Sequence, residues 1–270
     1  SSRSLLAVFK REVFSGIAMA LEAVTPEGFR TDGRRVNEPR GVNCCVGSDG
    51  RCEADGYAVF ELGSTKAVAY VFGPMEAKQR SQIVHDRATL SCTLSTASFA
   101  TPARNFRGRG DRQSQERSMW IQQTFESALL LEQYPRSQIQ LHVQVLQAEG
   151  GGVAAAINAA TLAFADAGLP MRDLVVACSA GMLGRRPAID LSREEEQAGG
   201  AQVLMAVLTG AKKVSLLEVE SKVPEGQFVQ LYDMALAGCE AIAEQMRICL
   251  VDHAAQGFSL RTSMRSGKKV

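Results

Sequence analysis

Cationic side chains are concentrated in one short stretch of the sequence. Within nine residues lie four arginines, two glycines and one phenylalanine: Arg104, Phe106, Arg107, Gly108, Arg109, Gly110 and Arg112. Arginines pair with phosphate oxygens and aromatic rings stack on bases, so this loop suits contacts with single-stranded nucleic acid. Three cations in another loop-like stretch extend the predicted surface: Lys78, Arg80 and Arg87. A merely solvated basic loop is the alternative.

Carboxylates form a second cluster. Asp190 is followed by the run Glu194-Glu195-Glu196. Oxygen ligands at this spacing could hold a divalent metal ion. The alternative is the solvated start of a helix, where acidic side chains are stabilised by the positive end of the helix dipole.

Glycines mark a third candidate site. Gly150-Gly151-Gly152 lie between a predicted strand and an alanine-rich predicted helix, and they formally fit the dinucleotide-binding pattern. The strand at 139–145 alternates, however, whereas a Rossmann first strand is buried on both faces, and the expected acid is Asp173, which precedes a strand. We therefore expect no nucleotide cofactor. The turn still offers backbone N–H groups to an anion.

Cysteines and serines give weaker signals. Seven cysteines are scattered along the chain, which fits reduced thiols better than a disulfide framework. Cys44, Cys45 and Cys52 lack a CxxC spacing, so buried apolar side chains are a better interpretation than a metal site. Ser179 has no evident histidine partner, and nucleophilic hydrolysis is therefore unsupported.

The composition is that of a globular protein. The 270 residues include 30 basic and 29 acidic side chains, for a net charge of +1, so nucleic acid would be bound through local patches and not through a global field. No apolar run approaches the roughly 20 residues of a membrane span, and we expect no membrane partner.

Periodicity predicts the elements that position these residues. Runs typical of strands lie at 41–47, 57–62, 66–72, 89–95, 139–145, 174–180, 202–208 and 214–220. Apolar residues at helical spacing predict helices at 114–133, 153–167 and 228–249. We expect the first third to be an antiparallel sheet. The predicted organisation is an N-terminal helical extension at 1–24, one α/β domain at 25–255 and a flexible basic tail at 256–270.

Five motifs together resemble the RNase PH family. They are Thr31-Asp32-Gly33-Arg34-Arg35, Gly63-Ser64-Thr65-Lys66, residues 135–139, residues 143–148, and residues 166–173. The resemblance runs from about Gly28 to His253. Within the family, the chain is similar to the RNA exosome ring subunit of the ribosomal-RNA-processing protein 41 type, in its eukaryotic form. The resemblance implies an α/β (α+β) fold like that of ribosomal protein S5 domain 2, with mixed sheets packed against helices.

The resemblance also implies a site and a departure from it. Active relatives cleave RNA from its 3′ end with inorganic phosphate as the nucleophile, which requires cations around the phosphate. Two arginines of the active pattern are matched by Gln113 and Val153. Asp190 and Glu196 match the paired acids, the second normally Asp, and Arg112 matches a kept arginine. These three residues are therefore expected to be vestigial, with no resident metal or cofactor.

The leading hypothesis is a non-catalytic exosome ring subunit. By resemblance, its partners are other RNase PH-like subunits of a hexameric ring, S1/KH cap subunits, single-stranded RNA and an RNase II-like hydrolytic exonuclease. Residence in the nucleus, nucleolus and cytoplasm is implied. The alternative is an active phosphorolytic exoribonuclease that uses Asp190, Glu196 and Arg112 with magnesium and phosphate.

Overall fold

The computed structural model describes residues 24–25, 27–47, 53–76, 84–102, 104, 111–184 and 186–265, the last seven of these by backbone alone. Several predictions lie outside the described residues. They concern the N-terminal extension at 1–23, the end of the tail at 266–270, Lys78, Arg80, Arg107 and Arg109.

The first sheet has five strands and is mixed. Its strands are β1 (Val42–Val46), β2 (Gly56–Leu62), β3 (Thr65–Glu76), β4 (Thr89–Thr96) and β5 (Ser137–Gln147). They are ordered β1-β2-β3-β5-β4, and β4 pairs in parallel with β5. The prediction of a purely antiparallel sheet in the first third is therefore wrong. The chain does not turn back onto β3, because β5 takes that edge.

The second sheet has four antiparallel strands. They are β6 (Val175–Leu183), β7 (Arg186–Ile189), β8 (Gln202–Leu208) and β9 (Lys213–Val219). Their order is β7-β6-β8-β9. β6 is central and nearly all buried, as its continuous apolar run predicts.

Helices fill the space between and around the sheets. Over the described residues they are α1 (Arg112–Ala128), α2 (Gly152–Asp166), α3 (Arg193–Gln197) and α4 (Glu225–Arg265), with a 3-10 turn at Leu131–Gln133. α2 contacts strands of both sheets and is buried from Ala154 to Phe164. Small alanine side chains permit this close approach on every face.

A polar residue fixes the register of α2 against the second sheet. The Asn158 side-chain amide donates to the carbonyl of Ala177 at 3.0 Å and accepts from its N–H at 2.8 Å. The side-chain amide thus forms with the backbone of Ala177 the two hydrogen bonds that a neighbouring strand would otherwise form. One hydrophobic cluster runs through both sheets and α2.

The C-terminal helix differs from its prediction. α4 continues to Arg265, so the predicted boundary at 255 falls inside a helix and 256–265 are helical instead of a flexible tail. α1 in turn ends at Ala128 instead of residue 133, because Leu129 is extended. Among the described helices, none is both long and apolar enough to cross a membrane.

Candidate functional site

A cavity of about 370 Å³ opens where the two sheets and two helices meet. Its walls come from α1, α3, the start of α2 with the turn before it, strands β4 and β5 of the first sheet and strands β6 and β8 of the second, with Glu218 and Glu220 at the end of β9. The polar and aromatic lining residues are Thr96, Thr101, Arg117, Trp120, Ser179, Arg193, Glu196, Gln197, Gln202, Glu218 and Glu220. The glycine turn and the acidic run of the sequence analysis are thus brought together.

The backbone conformation of the turn requires glycine at positions 150 and 151. Gly150 and Gly151 have φ angles of +97° and +62°, which disfavour any residue with a Cβ. A Cβ at Gly150 would also meet the backbone at Ser192 and Arg193 at 2.9 Å. The turn therefore presses against the chain entering α3, and it starts α2 without a side-chain cap.

Asp190 lies beneath this turn and is completely buried. Its carboxylate accepts three hydrogen bonds from Arg40: from the backbone N–H at 2.9 Å, Nε at 2.8 Å and Nη2 at 2.6 Å. Burial would lower the pKa of Arg40, but the hydrogen bonds and charge of Asp190 raise it. Both carboxylate oxygens of Asp190 are thus hydrogen-bonded to Arg40.

Arg40 also fastens the glycine turn. Its guanidinium donates to the carbonyls of Glu149 at 2.7 Å and Gly150 at 3.0 Å. Thr65 adds a hydroxyl bond to the Gly150 carbonyl at 2.7 Å. One side chain therefore fixes the turn to Asp190.

A second buried ion pair lies next to the first. The Arg30 guanidinium contacts Glu195 at 2.9 Å and 2.5 Å and also donates to the carbonyls of Ile189 and Asp190. Both side chains are almost completely shielded from solvent. Arg34 approaches Asp190 at 3.6 Å. The segment from Arg30 to Arg34 is thus ordered and lies across the acidic run.

Glu196 points the other way, into the cavity. Its Oε1 accepts the N–H of Gly151 at 2.8 Å. Burial raises the pKa of Glu196 and the negative charge of Glu220 adds to this, while the Gly151 bond and the charges of Arg40 and Arg117 oppose it. Glu196 and Asp190, predicted as a pair, thus both lie next to Gly151, but Asp190 is held by Arg40 and Glu196 lines the cavity.

Two cavity cations were missed by the sequence analysis. Arg117 follows Gln113 by one helical turn on α1, and that i, i+4 spacing was a usable signal. Arg193 directly precedes the acidic run. Its Nη1 is shielded from solvent and has no hydrogen-bond partner within the described part of the chain.

The residues matched to the phosphate-binding arginines of the family differ in their exposure to solvent. Val153 lines the cavity in the first turn of α2. Arg112 and Gln113 are exposed at the start of α1, outside the cavity lining. Gln202 also lines the cavity, and its side-chain amide donates to the Glu196 carbonyl at 2.9 Å.

The predicted RNA-binding residues are described only in part. Arg104 is exposed and lines a hollow beside Phe99, which is 72% exposed. Arg87 is exposed just before β4, whereas Arg104 follows it. The two arginines therefore lie on either side of β4 in the sequence.

The cavity's chemistry is set by these side chains. Two arginines, Arg117 and Arg193, face three glutamates, Glu196, Glu218 and Glu220, so ionised acids outnumber cations. In the described part of the chain, no group of three His, Cys, Asp or Glu residues could hold a metal ion. The arrangement can satisfy polar groups of a ligand but holds a small anion poorly.

Protein-family comparison identifies both halves of the chain. The 3′ exoribonuclease family, domain 1, matches residues 40–170, and domain 2 of the same family matches residues 173–238. The glycine turn belongs to the first match, and Asp190 and Glu196 belong to the second. The cavity therefore lies between the two matched regions.

Individual relatives agree with the domain matches. The chain is 48% identical over 237 residues to the exosome complex component RRP41 homolog of Arabidopsis thaliana, covering 87% of this chain and 97% of that protein. It is 45% identical over 216 residues to human exosome complex component RRP41, covering 80% and 87%. These relatives and the domain matches confirm the resemblance found in the sequence.

Solved structures support the predicted fold. Rice Rrp46 superposes with a TM-score of 0.72 at 25% identity, covering 82% of this chain and all of that one. A subunit of the Archaeoglobus fulgidus exosome with RNA bound to the active site also gives 0.72, at 22% identity, covering 86% and 98%. The predicted α/β fold of the RNase PH type is thereby confirmed.

Proposed function

This chain belongs to the RNase PH family of 3′ exoribonucleases, and on that premise we propose that it is a non-catalytic ring subunit of an RNA exosome. In this role it pairs with other RNase PH-like subunits in a hexameric ring and lines the channel that guides single-stranded RNA. A separate RNase II-like hydrolytic exonuclease then degrades the RNA. The similarity to exosome complex components in a plant and in human supports this assignment.

The observation that carries the proposal is the charge of the cavity. No arginine stands at 113 or 153, and three glutamates face two arginines. Each lost charged hydrogen bond is worth roughly 1.5–3 kcal/mol, so the missing pair would slow phosphorolysis by on the order of 10²–10⁴. An anionic nucleophile is repelled by the remaining carboxylates.

The state of the paired acids supports the same conclusion. Asp190 is buried and fully engaged by Arg40, so it is not positioned to deliver a proton to RNA. Of these two acids, only Glu196 is among the residues that line the cavity. The paired acids of the phosphorolytic site are therefore not presented together to a ligand in the cavity.

RNA binding is assigned to the basic surface outside the cavity. We propose that Arg104, Arg107 and Arg109 contact the RNA backbone, with Lys78, Arg80 and Arg87 as further contacts. Phe99, exposed beside Arg104, offers a ring on which a base can stack. Cap subunits of the S1/KH type and residence in the nucleus, nucleolus and cytoplasm belong to the same proposal.

The test compares assembled rings that differ in the basic loop. Replacing Arg104, Arg107 and Arg109 with alanine should weaken binding of single-stranded RNA and flatten its dependence on salt, by about 0.7 in log–log slope per lost phosphate contact. Binding is measured at about 50 and about 200 mM salt, with Lys212→Ala as a distant cationic control on an exposed loop. Equal RNA affinity in wild-type and triple-variant rings at both salt concentrations contradicts the assignment.

The second candidate is an active phosphorolytic exoribonuclease. Arg117 and Arg193 are the observation in its favour, because they bring two cations to the cavity from positions outside the family pattern. Under that alternative, magnesium and inorganic phosphate would act with Asp190, Glu196 and Arg112. It predicts nucleoside diphosphates as products, whereas the leading proposal predicts none from this subunit.

A further inference from the structure

We propose that the Glu196 carboxylate is a built-in anion that occupies the anion-binding turn at the start of α2 and thereby keeps inorganic phosphate out of the cavity. The inference rests on the proposed function and deepens it. The missing arginines remove attraction for phosphate, whereas Glu196 takes the place where phosphate would lie.

The contact at the turn supports this role. Gly151 donates its N–H to Glu196 Oε1 at 2.8 Å, and no side chain caps the helix. The 15-residue α2 directs its positive dipole end at this point, which favours a negative group there. Glu196 reaches the turn from α3, a separate element. The carboxylate therefore satisfies the helix start as an external oxyanion would.

Unsatisfied donors around the carboxylate show that the cavity can accommodate more polar contacts. Within the described residues, Ser179 Oγ and Arg193 Nη1 are shielded from solvent without a hydrogen-bond partner. Both residues line the cavity. Ser179 Oγ lies 3.4 Å from the position that a Cβ on Gly151 would take. The same position is 3.3 Å from Arg40 Nη2 and 3.5 Å from Asp190 Oδ1, and these two atoms are paired with each other. With Glu196 shortened, Ser179 Oγ, Arg193 Nη1 and the Gly151 N–H form a donor set for a tetrahedral oxyanion.

The cavity with ionised Glu196 and the cavity without it differ in net charge. With Glu196 ionised, three glutamates oppose Arg117 and Arg193, and removing Glu196 leaves two of each sign. The charged groups that act on Glu196 are Arg40 and Arg117, which favour its ionised form, and Glu220, which opposes it. Burial raises the pKa of Glu196. Acidification therefore removes the internal anion before most exposed carboxylates are protonated.

The experiment uses the single tryptophan of the chain, Trp120, which lines the cavity, as a fluorescent reporter. The purified full chain is titrated with inorganic phosphate at constant ionic strength. The Glu196→Ala variant should bind phosphate with a dissociation constant at least about tenfold below that of the wild type, because removing a like charge favours the anion. Glu194→Ala, an exposed neighbour on α3, is the matched control and should behave as wild type.

A second measurement needs no variant of Glu196. Sulfate keeps its charge over the range used, and wild-type chain should bind it more tightly at about pH 5 than at about pH 7, because protonation removes the internal anion. Sulfate affinity that does not rise on acidification overturns the inference. Phosphate binding that is equally tight, or equally absent, in the wild type and in Glu196→Ala also overturns it. Either failure leaves the proposed function standing, whereas phosphorolysis by wild-type rings would overturn that function.

Discussion

Two groups of charges lie only a few residues apart and differ in how they are neutralised. Beneath the glycine turn, Arg40 with Asp190 and Arg30 with Glu195 form closed pairs in which every carboxylate oxygen meets donors. In the cavity above it, Arg193 keeps an unpartnered Nη1, as judged over the described residues, and acids outnumber arginines. Both groups consist of arginines and acidic residues, so residue type alone does not distinguish them.

The difference distinguishes charges that stabilise the fold as buried pairs from charges that are available to a ligand in the cavity. Buried charges without partners cost several kcal/mol, so the closed pairs stabilise only as pairs. The cavity charges are half-buried and reach solvent, so their imbalance is tolerated. Of the two acids matched to the family pair, Asp190 is held by Arg40, and Glu196 is the one that lines the cavity.

The largest expected effect breaks a closed pair. Arg40→Met leaves Asp190 buried without its donors and unfastens the glycine turn, and should lower the free energy of unfolding by about 3–5 kcal/mol. Urea unfolding at neutral pH measures the change. The matched control is Lys212→Met, which removes an exposed ion pair with Glu240 and should leave the midpoint unchanged. Equal effects of the two substitutions would contradict the contrast between buried and exposed pairs.

A smaller effect is expected in the cavity and depends on pH. Because the pKa of Glu196 is raised in the folded chain, its contribution to stability is present below the unfolded value near 4.5 and is lost as pH rises through the folded value. Glu196→Gln should therefore be more stable than wild type at about pH 7 and equal to it at about pH 4. Urea midpoints of both proteins at each pH give the comparison. If Glu196→Gln were more stable than wild type only at about pH 4, the expected direction of the pKa shift of Glu196 would be contradicted.

The smallest effect is expected at Arg193. Its Nη1 has no acceptor among the described side chains and backbone groups, so Arg193→Gln removes little favourable interaction. The free energy of unfolding should change by less than about 0.5 kcal/mol, in contrast to Arg40→Met. Thermal and urea unfolding check the value. A loss comparable to that of Arg40 would place Arg193 among the structural arginines.

The sequence predicted the elements better than their pairing. Alternation along β5 and the continuous run in β6 gave both strands, because local periodicity reflects which face is buried. The parallel placement of β4 beside β5 could not be predicted, because strand pairing is a long-range choice. The end of α4 was missed because its last turns carry few apolar residues to mark a buried face.

The site was predicted by residue type but not by environment. The motif match identified Asp190, Glu196 and Val153, and the fold brings Glu196 and Val153 to one cavity. Nothing local distinguishes Arg30, which is buried, from Arg35, which is exposed in the same polar segment. Their difference is set by whether a distant carboxylate faces them.

The most direct test of the account is phosphorolysis by the assembled ring. Wild-type chain is assembled with its RNase PH-like partners, without the hydrolytic nuclease, and incubated with RNA, magnesium and radiolabelled inorganic phosphate. We expect no labelled nucleoside diphosphate above the level found when RNA, magnesium and labelled phosphate are incubated without the ring. Labelled nucleoside diphosphate that rises with phosphate concentration and is lost on Glu196→Gln would contradict it.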